Sequence, residues 1–237
     1  VMLMVRIRAC HVTGQFTCAD NLRPPLSVRE ALSNPQRDFN RVVLPPMSYR
    51  HEQDKITQRW PAAEAFIRDN GLNETLGPSE GPVGLIVQGG HVNGVIRALQ
   101  RLGLADIEGR SAIPIHVLTV TYPLVRDDLL DFTKGKDALL VVEEGQPEFI
   151  EQGIATLLNR ARSPVRLHGK DMLPMAGEYT GKVLQDGLTA FLREAAPGLL
   201  PAPVRAPNAP PPEIPDLSQT VPIRPPGFCT GCPERPI

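Results

Sequence analysis

Short apolar runs separated by stretches of helical spacing constrain this chain more than any other feature. Residues 82–88, 114–120 and 137–142 are rich in Val, Ile and Leu, and 165–167 is a fourth, brief run. Residues 92–102, 124–132, 148–161 and 181–192 instead repeat apolar side chains at helical spacing, with Val95, Leu99 and Leu102 on one face of the first and Ile150, Ile154, Leu157 and Leu158 on one face of the third. A strand that is apolar on both sides needs cover on both sides, and alternation with helices supplies it. The predicted fold class is α/β, a doubly wound, mostly parallel sheet over residues 40–195.

The flanks read differently. Residues 1–9 open on an apolar run and then alternate Arg6, Ile7, Arg8, which reads as a strand, with a loop from Cys10 to Gly14. Residues 20–47 are rich in Pro, Asn and Arg and read as an excursion. From His51 to Asn70, Ile56, Trp60, Ala63, Phe66 and Ile67 fall at helical spacing, with Pro61 as a kink or a fresh start. Eleven of the 26 prolines fall in residues 197–226, too many for a helix or a central strand, so an extended surface connector is predicted. Beyond it comes a C-x-x-C pair, Cys229 and Cys232, five residues from the end of the sequence. The abrupt start at Val1 and the end just past this pair lead us to expect an internal piece of a longer protein.

Composition narrows the function classes. A formal net charge of −1 gives no sign of a nucleic-acid-binding or membrane-binding surface, and no apolar run approaches the ~20 residues of a spanning helix. The four cysteines, Cys10, Cys18, Cys229 and Cys232, lie at the two ends rather than in a dense framework, which points to a reducing cytoplasm.

Ligands of a doubly wound sheet sit beyond the carboxyl ends of its strands. The groups there are Gly89-Gly90-His91, Thr121-Tyr122-Pro123 and Glu143-Glu144-Gly145. Gly89 and Gly90 read either as a phosphate-binding turn or as a tight strand-to-helix turn; the full G-x-G-x-x-G is absent. Glu143 and Glu144 are neighbours on a strand and point to opposite faces, which favours helix capping or an interface contact over an acid/base pair. His91 and His116 lack metal-ligand spacing and read as structural, and His11 beside Cys10 reads the same way. Cys229 and Cys232 turn two thiolates in one direction, half of a tetrahedral zinc or iron site.

A family resemblance runs along the whole chain. Arg224-Pro-Pro-Gly-Phe-Cys229-Thr-Gly-Cys232-Pro-Glu-Arg235 resembles the opening of the thiamine-diphosphate-binding domain of indolepyruvate ferredoxin oxidoreductases. Leu139-Leu-Val-Val-Glu-Glu-Gly-Gln-Pro-Glu-Phe-Ile-Glu-Gln152 and Gly169-Lys-Asp-Met-Leu-Pro-Met-Ala-Gly-Glu178 resemble the family's central, transketolase-C-terminal-like domain, and residues 5–14 resemble the last strand of the pyrimidine-binding domain before it. The resemblance implies a piece of a pyrimidine-binding domain at 1–19, a linker at 20–39, the central domain at 40–195, a proline-rich linker at 196–226 and the start of the thiamine-diphosphate-binding domain at 227–237.

The activity implied is oxidative decarboxylation of an aryl 2-oxoacid to its acyl-CoA, with electrons passing to ferredoxin. Thiamine diphosphate, Mg2+ and a [4Fe-4S] cluster would serve the complete protein, together with coenzyme A, a gamma-type domain or partner subunit, and a homo-oligomeric assembly. Cys229 and Cys232 match a motif that ligates a [4Fe-4S] cluster in related oxidoreductases. The activating glutamate and the magnesium-binding segment match nothing in this sequence, so the chain on its own is expected to be inactive. The competing reading is a non-catalytic interaction domain with a C-x-x-C zinc knuckle at its end.

Overall fold

The computed structural model of the chain describes residues 27–33, 35 and 38–200, together with Gln15, Thr17, Cys18 and Asp20. Contacts group the chain into two units, residues 22–201 and a second made of residues 1–21 and 202–237. The predicted strand at 1–9, the loop at Cys10 to Gly14, most of the proline-rich connector, and both Cys229 and Cys232 lie outside the described residues.

The unit of residues 22–201 is built on a five-stranded sheet. Its strands are β1 (Glu74–Leu76), β2 (Val83–Gln88), β3 (Ile115–Leu118), β4 (Ala138–Val142) and β5 (Arg166–His168). They lie in the order β1-β3-β2-β4-β5, all parallel except β1, which runs antiparallel to β3. Every residue of β3 and β4, and all of β2 but Gln88, is buried, as continuous apolar runs require.

Side-chain alternation divides the core in two. On one face Leu85, Val87, Leu140 and Val142 pack against Val95 and Leu99 of α4 (Val92–Arg101) and Leu184, Leu188 and Phe191 of α7 (Gly181–Ala195). On the other, Ile86, Leu139 and Val141 pack against Leu129 and Phe132 of α5 (Arg126–Thr133) and Ile150, Ile154 and Leu158 of α6 (Phe149–Arg160). Two glycines permit this closeness. A Cβ on Gly94 would lie 2.7 Å from Leu184 Cδ1, and one on Gly187 would lie 2.4 Å from Leu173 Cδ2.

Three departures from the sequence reading stand out. The excursion at 20–47 contains a short exposed helix, α1 (Val28–Ser33), and a 3-10 turn, Phe39–Arg41. The helix expected at 51–70 is two helices, α2 (Met47–Asp54) and α3 (Trp60–Asp69), joined by a π turn, Lys55–Arg59. The Trp60 N–H reaches the Lys55 carbonyl, five residues back, and Pro61 occupies the first turn of α3, where a missing N–H matters least. Finally, Ala196 is buried and Leu199 and Leu200 pack on the α4/α7 core, so residues assigned to the connector belong to the folded body.

Candidate functional site

The topology sets the place to look. From β2 the chain passes to β3 on one side, then crosses to β4 and β5 on the other. The crevice at this reversal, between the carboxyl ends of β2 and β4, is where doubly wound sheets receive ligands. Here the protein's own side chains bond to one another.

Glu143 leaves the end of β4 and turns onto the first turn of α6. Its carboxylate accepts the Ile150 N–H at 3.1 Å through both oxygens and the Glu151 N–H at 3.0 Å through one. These are amides that the helix itself cannot satisfy, and the negative charge sits at the positive end of the helix dipole. Helix capping, one of the two roles left open for the Glu143-Glu144 pair, is the role Glu143 performs. Glu144 points the other way, as strand alternation requires. Its carboxylate accepts the Tyr179 N–H at 2.7 Å and lies 3.7 Å from His91 Nε2. Its N–H donates to Gln88 Oε1 at 3.1 Å, bridging β2 and β4 across the crevice.

Lys170, two residues past β5, closes the top. Its ammonium donates to the Glu143 carbonyl and to the Tyr179 hydroxyl, which in turn donates to the Pro174 carbonyl. Its N–H donates to Glu151 Oε2 at 3.0 Å. Burial lowers the Lys170 pKa, opposed by Glu143, Glu151 and Glu148. Burial also raises Glu151, against the hydrogen bond from Lys170 N–H, with Asp171, Glu148 and Glu143 adding to the rise. Burial, then Glu143 and Glu151, push Tyr179 up to about 12, so its hydroxyl stays protonated and keeps donating. Asp171 accepts the Gly169 N–H and pairs with His168 Nδ1, each at 2.7 Å. Burial alone would raise its pKa, but these bonds outweigh that and lower it.

The first turn of α6 does not suit a diphosphate. The α6 amides that would hold a phosphate are bonded to Glu143, and the nearby ammonium is turned onto internal acceptors. Gly89 and Gly90 form a 3-10 turn, Gly89–His91, leading into α4. His116 lies apart from the crevice. It is buried beside Phe132, with Nδ1 3.2 Å from Thr75 Oγ1, and burial lowers its pKa against the pull of Asp128. Among the described residues no group of three or more His, Cys, Asp or Glu is arranged to hold a metal ion. Cys18 is a free, exposed thiol. Sequence reasoning passed over Gln88, Glu151, Lys170 and Tyr179. Only Lys170 carried a signal, a charged residue just past a strand end.

No family model matches the chain. Curated proteins do. The subunit IorA of indolepyruvate oxidoreductase from Methanothermobacter thermautotrophicus is 29% identical over 240 residues, covering 100% of this chain and 34% of that protein. The same subunit from Thermococcus kodakarensis is 25% identical over 235 residues, covering 99% of this chain and 34% of that protein. The chain resembles these IorA subunits from end to end. It spans about a third of the length of these relatives. Among solved structures, a split-gene transketolase in an inactive β4 tetramer matches with a TM-score of 0.38 at 15% identity, over 52% of this chain and 42% of that one. A 2-oxoglutarate:ferredoxin oxidoreductase from Magnetococcus marinus matches with a TM-score of 0.42 at 17% identity, over 61% of this chain and 23% of that one. No helix among the described residues is long and apolar enough to cross a membrane.

Proposed function

We propose that this chain is the central, transketolase-C-terminal-like portion of an indolepyruvate-type 2-oxoacid:ferredoxin oxidoreductase. The whole protein converts an aryl 2-oxoacid to its acyl-CoA and carbon dioxide and passes the electrons to ferredoxin. Thiamine diphosphate with Mg2+ supplies the decarboxylation chemistry. Cys229 and Cys232 would supply two ligands to a [4Fe-4S] cluster, which would provide the one-electron transfer chemistry. A second subunit completes the assembly.

The single observation that carries this reading is the match of the entire chain to one third of several relatives that share a name. The crevice supports a division of labour. The charged groups at the crevice of residues 40–195 bond to one another, and in this reading the thiamine chemistry belongs to flanking domains. The test is turnover by the anaerobically purified longer protein with indole-3-pyruvate, coenzyme A and methyl viologen, with and without thiamine diphosphate. Cofactor-dependent viologen reduction is expected. Zinc bound in place of iron, with no turnover of any aryl 2-oxoacid, would favour the zinc-knuckle reading instead.

A further inference from the structure

His116 is a buried titratable group that the crevice does not use. It sits on β3 between β2 and the antiparallel edge strand β1, opposite Ile86 on one side and Thr75 on the other. Only 4% of it is exposed. Nδ1 lies 3.2 Å from Thr75 Oγ1, and Nε2 has no hydrogen-bond partner. The neutral ring tolerates this, because one of its nitrogens carries no proton. The imidazolium carries a proton on both, so Nε2 becomes a charged donor with nothing to receive it.

The surroundings do little for that charge. Burial lowers the His116 pKa, and Asp128 of α5 opposes the shift without cancelling it. The Phe132 ring lies 5.4 Å from the His116 ring, centroid to centroid, and already carries the Lys136 ammonium at 4.5 Å. A protonated His116 is thus a second cation near Lys136, whose own pKa burial lowers against the pull of Glu80. Glu74, next to Thr75 on β1, faces the other side of the sheet, and Ile86 of β2 is uncharged. Asp127 and Asp131 of α5 pair with Arg68 and Lys134. The weakest neighbour is β1, a three-residue edge strand in which only Leu76 is partly buried. It is also an attachment point for the helices before it. Neither α2 nor the π turn buries a residue, and α3 buries only Ile67, with Trp60 adding an edge-to-face contact to Tyr122.

We propose that His116 is an acid-sensitive pin: gaining a proton, it loosens β1 and the helices before it from β3, while β2, β4 and β5 stay paired. The folded pKa lies below the ordinary 6.5, so the folded state binds fewer protons than the opened one. The pairing of β1 is therefore strongest above 6.5 and weakens as pH falls from there towards the folded value. Opening the edge strand brings water to the ring at far less cost than unfolding the buried centre of the sheet, so the strain is released locally.

The experiment is backbone hydrogen exchange of the complete protein at about pH 7.5 and about pH 5.5, on either side of the ordinary histidine value, with each rate divided by the intrinsic rate at that pH. Protection should fall by up to about tenfold at β1 and at Val120, whose N–H donates to Asn73 just before β1, and should hold at β2, β4 and β5. His116→Phe keeps an aromatic ring at this position and has no proton to gain, so its β1 should keep the same protection at both pH values. Where that variant does not fold, His116→Gln, which also gains no proton in this range, takes its place. No loss of protection at β1 in the wild type, an equal loss across all five strands, or a loss of the same size in the variant would overturn the proposal.

Discussion

Replacing Glu143 with alanine removes the cap of α6 and leaves the Ile150 and Glu151 amides without acceptors. Glu143 is 6% exposed and Ile150 is buried, so water cannot readily take its place. Loss of an ordinary cap costs about 0.5–2 kcal/mol, and a buried unsatisfied amide costs about 1–3 kcal/mol. With two amides stranded and the Glu151 site only half-buried, a loss of about 2–4 kcal/mol is expected. For a folded body of this size each kcal/mol shifts the midpoint by about 2–4 °C, so the thermal transition should fall by roughly 5–15 °C. Glu143→Gln keeps one acceptor oxygen but no charge and should lose about half as much. The assay is denaturant unfolding of the chain with hydrogen exchange at Ile150 and Glu151. Exchange at these two amides should quicken in Glu143→Ala more than elsewhere in α6. If Glu143→Ala unfolds within about 0.5 kcal/mol of wild type, the carboxylate is not capping the helix and the account of an internally bonded crevice fails.

Other outcomes follow from particular residues. Arg162 closes α6 at φ 52°, with the Ser163 N–H bonded to the Leu158 carbonyl, in a position that suits glycine; Arg162→Gly should stabilise the chain by about 0.5–1 kcal/mol in urea unfolding. Lys170 has a folded pKa below its ordinary 10.5, so the folded state gives up this proton first and stability gains from it as pH rises towards 10.5; that alkaline gain should be missing in Lys170→Met. In the complete protein, Cys229→Ser and Cys232→Ser should each lower bound iron and electron transfer while leaving the unfolding of the α/β body unchanged. Equal iron content and turnover in both variants would reduce the pair to a turn.

The sheet was legible because β2, β3 and β4 are buried on both faces, and a strand in that position has almost no choice but Val, Ile, Leu or Ala. The flanking helices were legible from their inward faces, Val95 and Leu99 or Ile150 and Ile154. β1 left no such trace. Glu74, Thr75 and Leu76 bury only part of Leu76, and the strand exists because β3 offers an open edge. The π turn was hidden for a related reason: sequence marks Pro61 as a break but not how the preceding turn absorbs it. The crevice was half legible. Strand alternation separated Glu143 from Glu144, yet their partners Gln88, Lys170 and Tyr179 lie 27 to 56 residues away and only the folded sheet brings them together. Leu199 and Leu200 were lost behind the proline count, because local composition says nothing of the apolar surface waiting at the end of α7.

In the function proposed above, this chain serves a thiamine-dependent aryl 2-oxoacid oxidoreductase whose catalytic groups lie outside residues 40–195. The most direct measurement is the visible spectrum of the anaerobic, complete protein before and after indole-3-pyruvate and coenzyme A, with acyl-CoA followed by mass spectrometry, run beside the isolated chain. The complete protein should bleach its iron–sulfur band and form the acyl-CoA, whereas the isolated chain should do neither. Turnover by the isolated chain, or a complete protein that binds no iron and forms no acyl-CoA from any aryl 2-oxoacid, would contradict it.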